Sequence, residues 1–488
     1  MFMYYKTIMK RGAKMPLPTS IKEKEKLMHE ALPFEKSFDA VERTLIIGEK
    51  SARLYFLDGF VNGAILDKIL ANFIKVTKED MEKVSSSDEF MSRFVSGTEA
   101  VAEKELEQVV TYFLSGFTII MIDGLSDAIV LDIRDYPARE TQEPEKEKVM
   151  RGARDGFVET MIANCALIRR RIRDPQFIYE LMCIGRRSRS DVAVAYIGDL
   201  VDEKTLSTIR KKLSSIDTHA LTMSLQSLAE CLIRQRWYNP FPKVRMTERP
   251  DVAAASLLEG NIIIMVDTSP SVMILPTSVF EFLQEPGDFY FSPFVGTYLR
   301  FVRNVSFFST LFLTPLWLLI LENIDKLPKW MQFLAIREEV FVPVVLQLLI
   351  LEAAVDVLRL ASVNTPSMLG NSLSIIGALL LGDFAVKAGW LNSDPILYMS
   401  FISIASFAQP SIEFNYSLKV MRIVLLLLTY IFNLWGFIGG LILCVVLVAT
   451  NKTVMGTGYL YPLIPFNWDA LKKFIIRPKI QMKKNKGN

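Results

Sequence analysis

Long apolar runs crowd residues 299–450, and they dictate what this chain can fold into. About 20 helical residues cross roughly 30 Å of hydrocarbon, so an apolar window of this length reads as a membrane span. Four such windows stand out: Val305 to Leu321, Val340 to Ala361, Leu369 to Leu391, and Ile423 to Ala449, with a weaker one from Pro395 to Ala408. Charge placement agrees. Of 56 Lys and Arg and 53 Asp and Glu, 82 lie in residues 1–298, 18 in 299–450 and nine in the last 38. The chain is thus a soluble front, a membrane-embedded middle and a basic tail. With 51% hydrophobic residues and four cysteines, neither intrinsic disorder, nor a disulfide scaffold, nor a free cytosolic enzyme describes the whole.

The topology is constrained by parity. Arg300 and Arg303 precede the first run and favour a cytoplasmic entry. The tail carries Lys472, Lys473, Arg477, Lys479, Lys483, Lys484 and Lys486 against Asp469, which places it on the same side. No export signal opens the chain, since Met1 to Lys10 mixes apolar and basic residues, so the front is expected in the cytoplasm. Ends on one side demand an even number of crossings, yet five segments are visible. Either the weak fourth segment re-enters without crossing, or the last one folds back. The last carries Asn433, Gly436, Gly439 and Gly440 and reads as one tilted helix or a tight hairpin. The re-entrant fourth segment, broken at Ala408-Gln409-Pro410, is the simpler expectation.

Ionisable residues inside the spans carry the sharpest functional signal. Glu352, Asp356 and Arg359 recur at i, i+4 and i+7 on one helical face, and Asp383 and Lys387 at i, i+4. Each charge costs about 2.5–3.5 kcal/mol at a helix centre on insertion scales, so these side chains avoid lipid. They are candidates for an ion pathway or gate. The competing reading is structural pairing, Asp383 with Lys387 and Asp356 with Arg359. Glu352 lacks an opposite charge one turn away and is the foremost pathway candidate.

The front reads as two α/β lobes in tandem, followed by an α-helical polytopic membrane domain of four to six spans. The expected division is an N-terminal segment 1–42, a first lobe 43–135, a linker 136–154, a second lobe 155–298, the transmembrane domain 299–450 and a cytosolic tail 451–488. Leu45 to Gly48 and Leu54 to Leu57 read as paired strands, Asn62 to Val76 as an amphipathic helix, and Phe117 to Ile122 and Ala128 to Ile133 as strands around Asp123-Gly124. In the second lobe Glu159 to Ile172 and Asp202 to Leu213 read as helices. Val192 to Ile197, Ile262 to Asp267 and Val272 to Leu275 read as strands.

Chemistry in these lobes is sparse. No dinucleotide or phosphate-cradling glycine loop and no nucleophile elbow occurs, so no cofactor and no enzymatic activity is expected. Cys165, Cys183, Cys231 and Cys444 lack metal-ligand spacing and read as reduced, buried thiols, and no metal site is expected. Asp267 at a strand end reads as a turn cap. Arg169, Arg170, Arg171 and Arg173, then Arg186, Arg187 and Arg189, are dense. The front is acidic overall and lacks interleaved aromatics, so these arginines suit a salt-bridged face toward a lobe or neighbouring subunit and not nucleic acid.

Three ordered motifs complete the reading. The first is Gln142-Glu143-Pro144, Arg151-Gly152-Ala153-Arg154-Asp155-Gly156-Phe157 and Arg169-Arg170-Arg171-Ile172. The second is Glu248-Arg249-Pro250-Asp251 with Leu258-Glu259-Gly260. The third runs from Asp267 through Pro276-Thr277 to Gln284-Glu285-Pro286. On these the chain resembles the A-subunit family of spore germinant receptors (the GerA family) from about Thr44 to the tail. Ala153 departs from the family's usual proline. The Asp267-Thr268-Ser269-Pro270-Ser271 turn and the Pro465-Phe466-Asn467-Trp468 tail look most like an accessory paralogue within it. The resemblance implies residence in the spore inner membrane and a ring-shaped homo-oligomer, a pentamer, that releases monovalent cations during germination. It also implies work beside a small membrane accessory protein or the receptor's B and C subunits. The rival is a non-conducting receptor or scaffold that passes a ligand signal to a separate channel.

Overall fold

Gly48 and Glu49 both take positive φ (53° and 65°), the left-handed pair of a two-residue hairpin turn. That turn joins β1 (Ala40–Ile47) to β2 (Lys50–Leu57) in antiparallel register. It sits in a computed structural model that describes residues 16–137, 152–233, 236–326, 328–336, 340–364, 384–454 and 459–477. The chain divides into two compact units. One comprises Met1–Val149, Ala153–Arg234 and Val244–Pro276, the other Met150–Gly152, Gln235–Lys243 and Thr277–Asn488.

The first unit holds two five-stranded, wholly antiparallel sheets. The first contains β1, β2, β3 (Glu99–Glu103), β4 (Thr118–Ile122) and β5 (Ala128–Asp132), ordered β1-β2-β4-β5-β3. The second contains β6 (Phe177–Ile184), β7 (Ser190–Ile197), β8 (Arg245–Thr247), β9 (Ile262–Val266) and β10 (Val272–Leu275), ordered β6-β7-β9-β10-β8. The same strand order is therefore written twice. In each lobe two hairpins make the centre and a short strand, preceding a helix, closes one edge.

β4 is buried at every position, because its sheet is covered on both faces. Tyr55, Ile119, Met121 and Val130 pack against α1 (Ile21–Ala31) and the helix Leu106–Leu114. On the opposite face Leu54, Ile120, Ile122 and Leu131 meet the helix Gly63–Ile74, whose N-terminus is capped by Asn62. The lobe starts earlier than residue 43: Leu17, Ile21, Met28 and Leu32 belong to its core. Within α1, Lys24 is fully buried and donates to the carbonyls of Ile122 and Leu125. In the second lobe Asp267 Oδ1 accepts from the Met161 amide at 3.1 Å, capping α2 (Met161–Arg169).

The second unit is helical. α3 (Pro293–Glu322) and α6 (Ile412–Ala449) are each long and apolar enough to cross a membrane. Between them lie α4 (Val344–Asn364) and α5 (Ser393–Phe407). The third expected span, Leu369 to Leu391, falls for the most part in 365–383, outside the described residues.

α6 is a helical hairpin. Asn433 (φ 51°, ψ −130°) is non-helical and separates arms 412–432 and 434–449. The arms pack face to face: Cys444 shares a core with Phe414, Leu418 and Met421, and a straight helix would hold residues 26 positions apart ~39 Å from each other. Gly436 and Gly440 make the approach possible. A Cβ on Gly436 would collide with the Leu428 carbonyl oxygen, and one on Gly440 with the Leu425 side chain. The turn is held where Asn323 Nδ2, just past α3, donates to Asn433 Oδ1 at 2.7 Å. Of the two alternatives left open by parity, the folding back of the last segment is the one seen. The fourth segment is the continuous helix α5, Ala408 is merely its C-cap, and the last segment is the one that folds back.

Arg300 and Arg303 are buried with Asp288 between them, Arg303 at 2.8 and 3.0 Å and Arg300 at 3.3 Å. These arginines share one carboxylate inside the unit and do not form an open basic flank.

Candidate functional site: a buried charge cluster among the membrane helices

α4 presents Glu352, Asp356 and Arg359 on one face, as the spacing predicts. The first arm of α6 answers with Asn415, Lys419 and Arg422, also one helical turn apart. Arg422 Nε and Nη2 donate to Glu352 Oε1 at 2.6 and 2.5 Å, and Arg422 Nη1 donates to the Thr310 carbonyl of α3 at 2.6 Å. Lys419 Nζ lies 3.2 Å from Glu352 Oε2 and 2.6 Å from Asp356 Oδ2. Arg359 reaches Ser406 Oγ of α5 at 3.3 Å and lies over the Phe407 and Tyr416 rings. One polar knot therefore joins α3, α4, α5 and α6.

Burial is graded across it. The Glu352 and Arg422 side chains are 6% and 4% exposed, Lys419 13% and Asp356 36%. Glu352 and Asp356 thus meet Lys419 and Arg422 at ion-pair distance. A cavity of about 20 Å³, lined in part by Asp356, Ser403, Ser406 and Asn415, has room for about one water. Buried Asn415 lines it with an Oδ1 that has no hydrogen-bond partner among the described residues.

Glu352 is therefore not a bare carboxylate. Its partners come from 67 and 70 residues downstream, where no within-helix rule reaches. Asp356 bonds Lys419, a partner the sequence did not suggest. Lys419 and Arg422 were missed because they stand just outside the apolar run that opens at Ile423; the usable signal was their i, i+3 spacing, complementary to Glu352 and Asp356. Asp383 lies outside the described residues. Lys387 closes the short helix Ala385–Lys387 and is exposed.

The arginine-rich segments separate into distinct roles. Arg169 is 2% exposed, with Nε and Nη2 bidentate on Asp39 at 2.8 and 2.9 Å, Nη2 on Ser37 Oγ and Nη1 on the Phe177 carbonyl. It ties the second lobe to the first, one of the two roles that the sequence reading left open. Arg171 is bidentate on Asp155, Arg170 lies over the Tyr136 ring, and Arg186 is bidentate on Asp217. Arg173, Arg187 and Arg189 are exposed. Cys165 and Cys444 are buried, but Cys183 and Cys231 are exposed, so burial holds for only two of the four thiols.

Two further features belong to the first unit. Glu25, His29 and Glu42 bring ligand-type atoms within 4.8 Å of one another; Arg53 sits among them, 2.9 Å from Glu25 and 3.3 Å from Glu42, and supplies the counter-charge. A groove of about 330 Å³, lined in part by His29, Leu32, Phe34, Lys36, Gln176 and Ile178, runs where the two lobes meet.

Residues 28–488 match the family described as Bacillus/Clostridium GerA spore germination protein. The chain is similar to stage V sporulation protein AF of Bacillus subtilis (strain 168), 36% identical over 443 residues, 90% of this chain and 89% of that protein. It is also similar to spore germination protein KA of the same organism, 29% identical over 447 residues, 90% and 81% of the two chains. The crystal structure of the N-terminal domain of the A subunit of the Bacillus megaterium spore germinant receptor GerK3 aligns with 54% of this chain and 97% of its own, at 25% identity and a TM-score of 0.42. With the family match spanning nearly the whole sequence, the chain belongs to the GerA family of spore germination proteins.

Proposed function

We propose that this protein acts in the spore inner membrane as a homo-oligomer that releases monovalent cations during germination, or as an accessory to such a channel. As a member of its family it is a membrane protein of germination or sporulation and not an enzyme. The observation carrying the finer reading is the charged knot with its water-sized cavity where α3, α4, α5 and α6 meet. Membrane-embedded charge at this density marks a functional element.

In this reading Glu352 and Arg422 are the closed latch, while Asp356, Lys419 and Arg359, which are less buried, face the path. Lys387 and Asp383 remain pathway candidates. The hairpin α6 supplies two passes, so six crossings put the lobes and the basic tail together on the core side. Arg173, Arg187 and Arg189 serve contacts between copies, in a pentamer on the family pattern. A small membrane protein or the receptor's B and C subunits are the partners.

The test is potassium and sodium flux into liposomes holding this chain alone. Flux that Asp356→Asn alters in selectivity supports conduction. Silence from normally assembled oligomers supports the second reading, a non-conducting receptor or scaffold. That reading draws on two observations: the Glu352 pairs close within a single chain, and the groove of the first unit is large enough for a small ligand.

A further inference from the structure

We infer that the segment 459–477 is an interfacial anchor that recognises anionic phospholipid headgroups. Its helix α7 (Trp468–Ile475), capped by Asn467, places Trp468, Leu471 and Phe474 on one arc and Asp469 and Lys472 on the other. The apolar residues leading into it are not buried: Ile464, Phe466 and Trp468 are 61%, 67% and 59% exposed. Three large apolar side chains alternating along one short stretch are too concentrated for scattered surface residues.

The location identifies what covers them. Arg477 fastens the end of the segment beside the start of α3, its amide donating to Thr297 Oγ1 at 3.2 Å and its Nη2 to the Phe289 carbonyl at 2.6 Å. Phe474 packs on Phe280. There α3 itself exposes Phe294 and Tyr298. Aromatic residues collected where an apolar helix enters the bilayer form an interfacial belt. The exposed patch is thus continuous with a membrane-crossing helix, and the occupant is the bilayer surface.

Charge specifies the lipid. The last 38 residues carry eight Lys and Arg against one Asp. A short amphipathic helix that buries aromatics at headgroup depth and holds lysines above them binds anionic leaflets, each lysine contributing about fivefold in affinity.

The test uses the full-length chain in nanodiscs of phosphatidylcholine alone or mixed with phosphatidylglycerol, reading amide hydrogen exchange over 459–477. Exchange should be slower in the phosphatidylglycerol discs, and the difference should vanish at high salt and in the double variant Lys472→Gln, Lys473→Gln. Trp468→Ser should lose protection in both lipids, which keeps the insertion step testable apart from the charge. Protection equal in the two lipids and indifferent to the lysines would assign the patch to a protein partner and overturn the proposal.

Discussion

Removing the Glu352 carboxylate while leaving Arg422 in place should destabilise the helical unit strongly. In Glu352→Gln the Arg422 guanidinium, 4% exposed, keeps the Thr310 carbonyl and loses its two charge-assisted bonds of 2.5–2.6 Å. Lys419 retains Asp356 at 2.6 Å, so the damage concentrates on Arg422. A unit pair about 4 Å apart at an effective dielectric near 20 is worth ~4 kcal/mol, and an orphaned partner of a buried pair costs about 3–5 kcal/mol. The double variant Glu352→Gln, Arg422→Met removes the orphaned charge and should recover most of that loss. Unfolding of the detergent-solubilised protein followed by tryptophan fluorescence reads the effect, since Trp317 is buried beside Leu348 and Leu351 of α4. A single variant as stable as wild type, or a double variant no better than the single, would refute the latch. Changed ion selectivity in a fully stable Glu352→Gln protein would instead return this carboxylate to an ion path.

Gly440→Leu should force the α6 arms apart and destabilise by roughly 1–3 kcal/mol through overpacking, visible as a lower melting temperature, whereas Gly439→Ala, whose Cβ meets nothing within 4 Å, should melt with wild type. Asp39→Ala should strand buried Arg169 and cost about 3–5 kcal/mol, measured by circular dichroism in urea; Arg169→Lys with Asp39 in place should cost less than that, one ammonium replacing the bidentate fork. Burial pushes the Lys24 ammonium down to about 8. Below pH 8 the folded and unfolded chains both hold this proton and the burial penalty is full. From pH 8 to the usual lysine range the folded chain has lost it first, so stability relative to Lys24→Met should rise, as pH-dependent urea titrations would detect.

Local signals in the sequence translated well where one segment decides its own geometry. The paired strands on either side of Glu49, the helix expected from Asn62 and the apolar run Phe117 to Ile122 are such cases. β3, with its pattern of exposed and half-buried residues, gave no periodic signal, since an edge strand leans on its neighbour for hydrogen bonds more than on a core for burial. β6 likewise went unread. The charged face of α4 was legible as a face, but its partners were not, because side-chain pairing between helices depends on packing that no spacing rule encodes. Asn433, Gly436 and Gly440 did carry the hairpin, yet the same residues fit a tilted helix until the arms are seen to touch.

The doubled strand order has a less obvious corollary. Each copy of the motif surrenders a piece of itself: Phe38, from the stretch ahead of β1, fills the interior of the later repeat, while Ala166, from α2 of that repeat, completes the interior of the earlier one. Such reciprocal lending means neither half is a finished object. Cut between them, each fragment would keep its ladder of hydrogen bonds but open a gap where its sibling's side chain had been, so the two halves are expected to melt together.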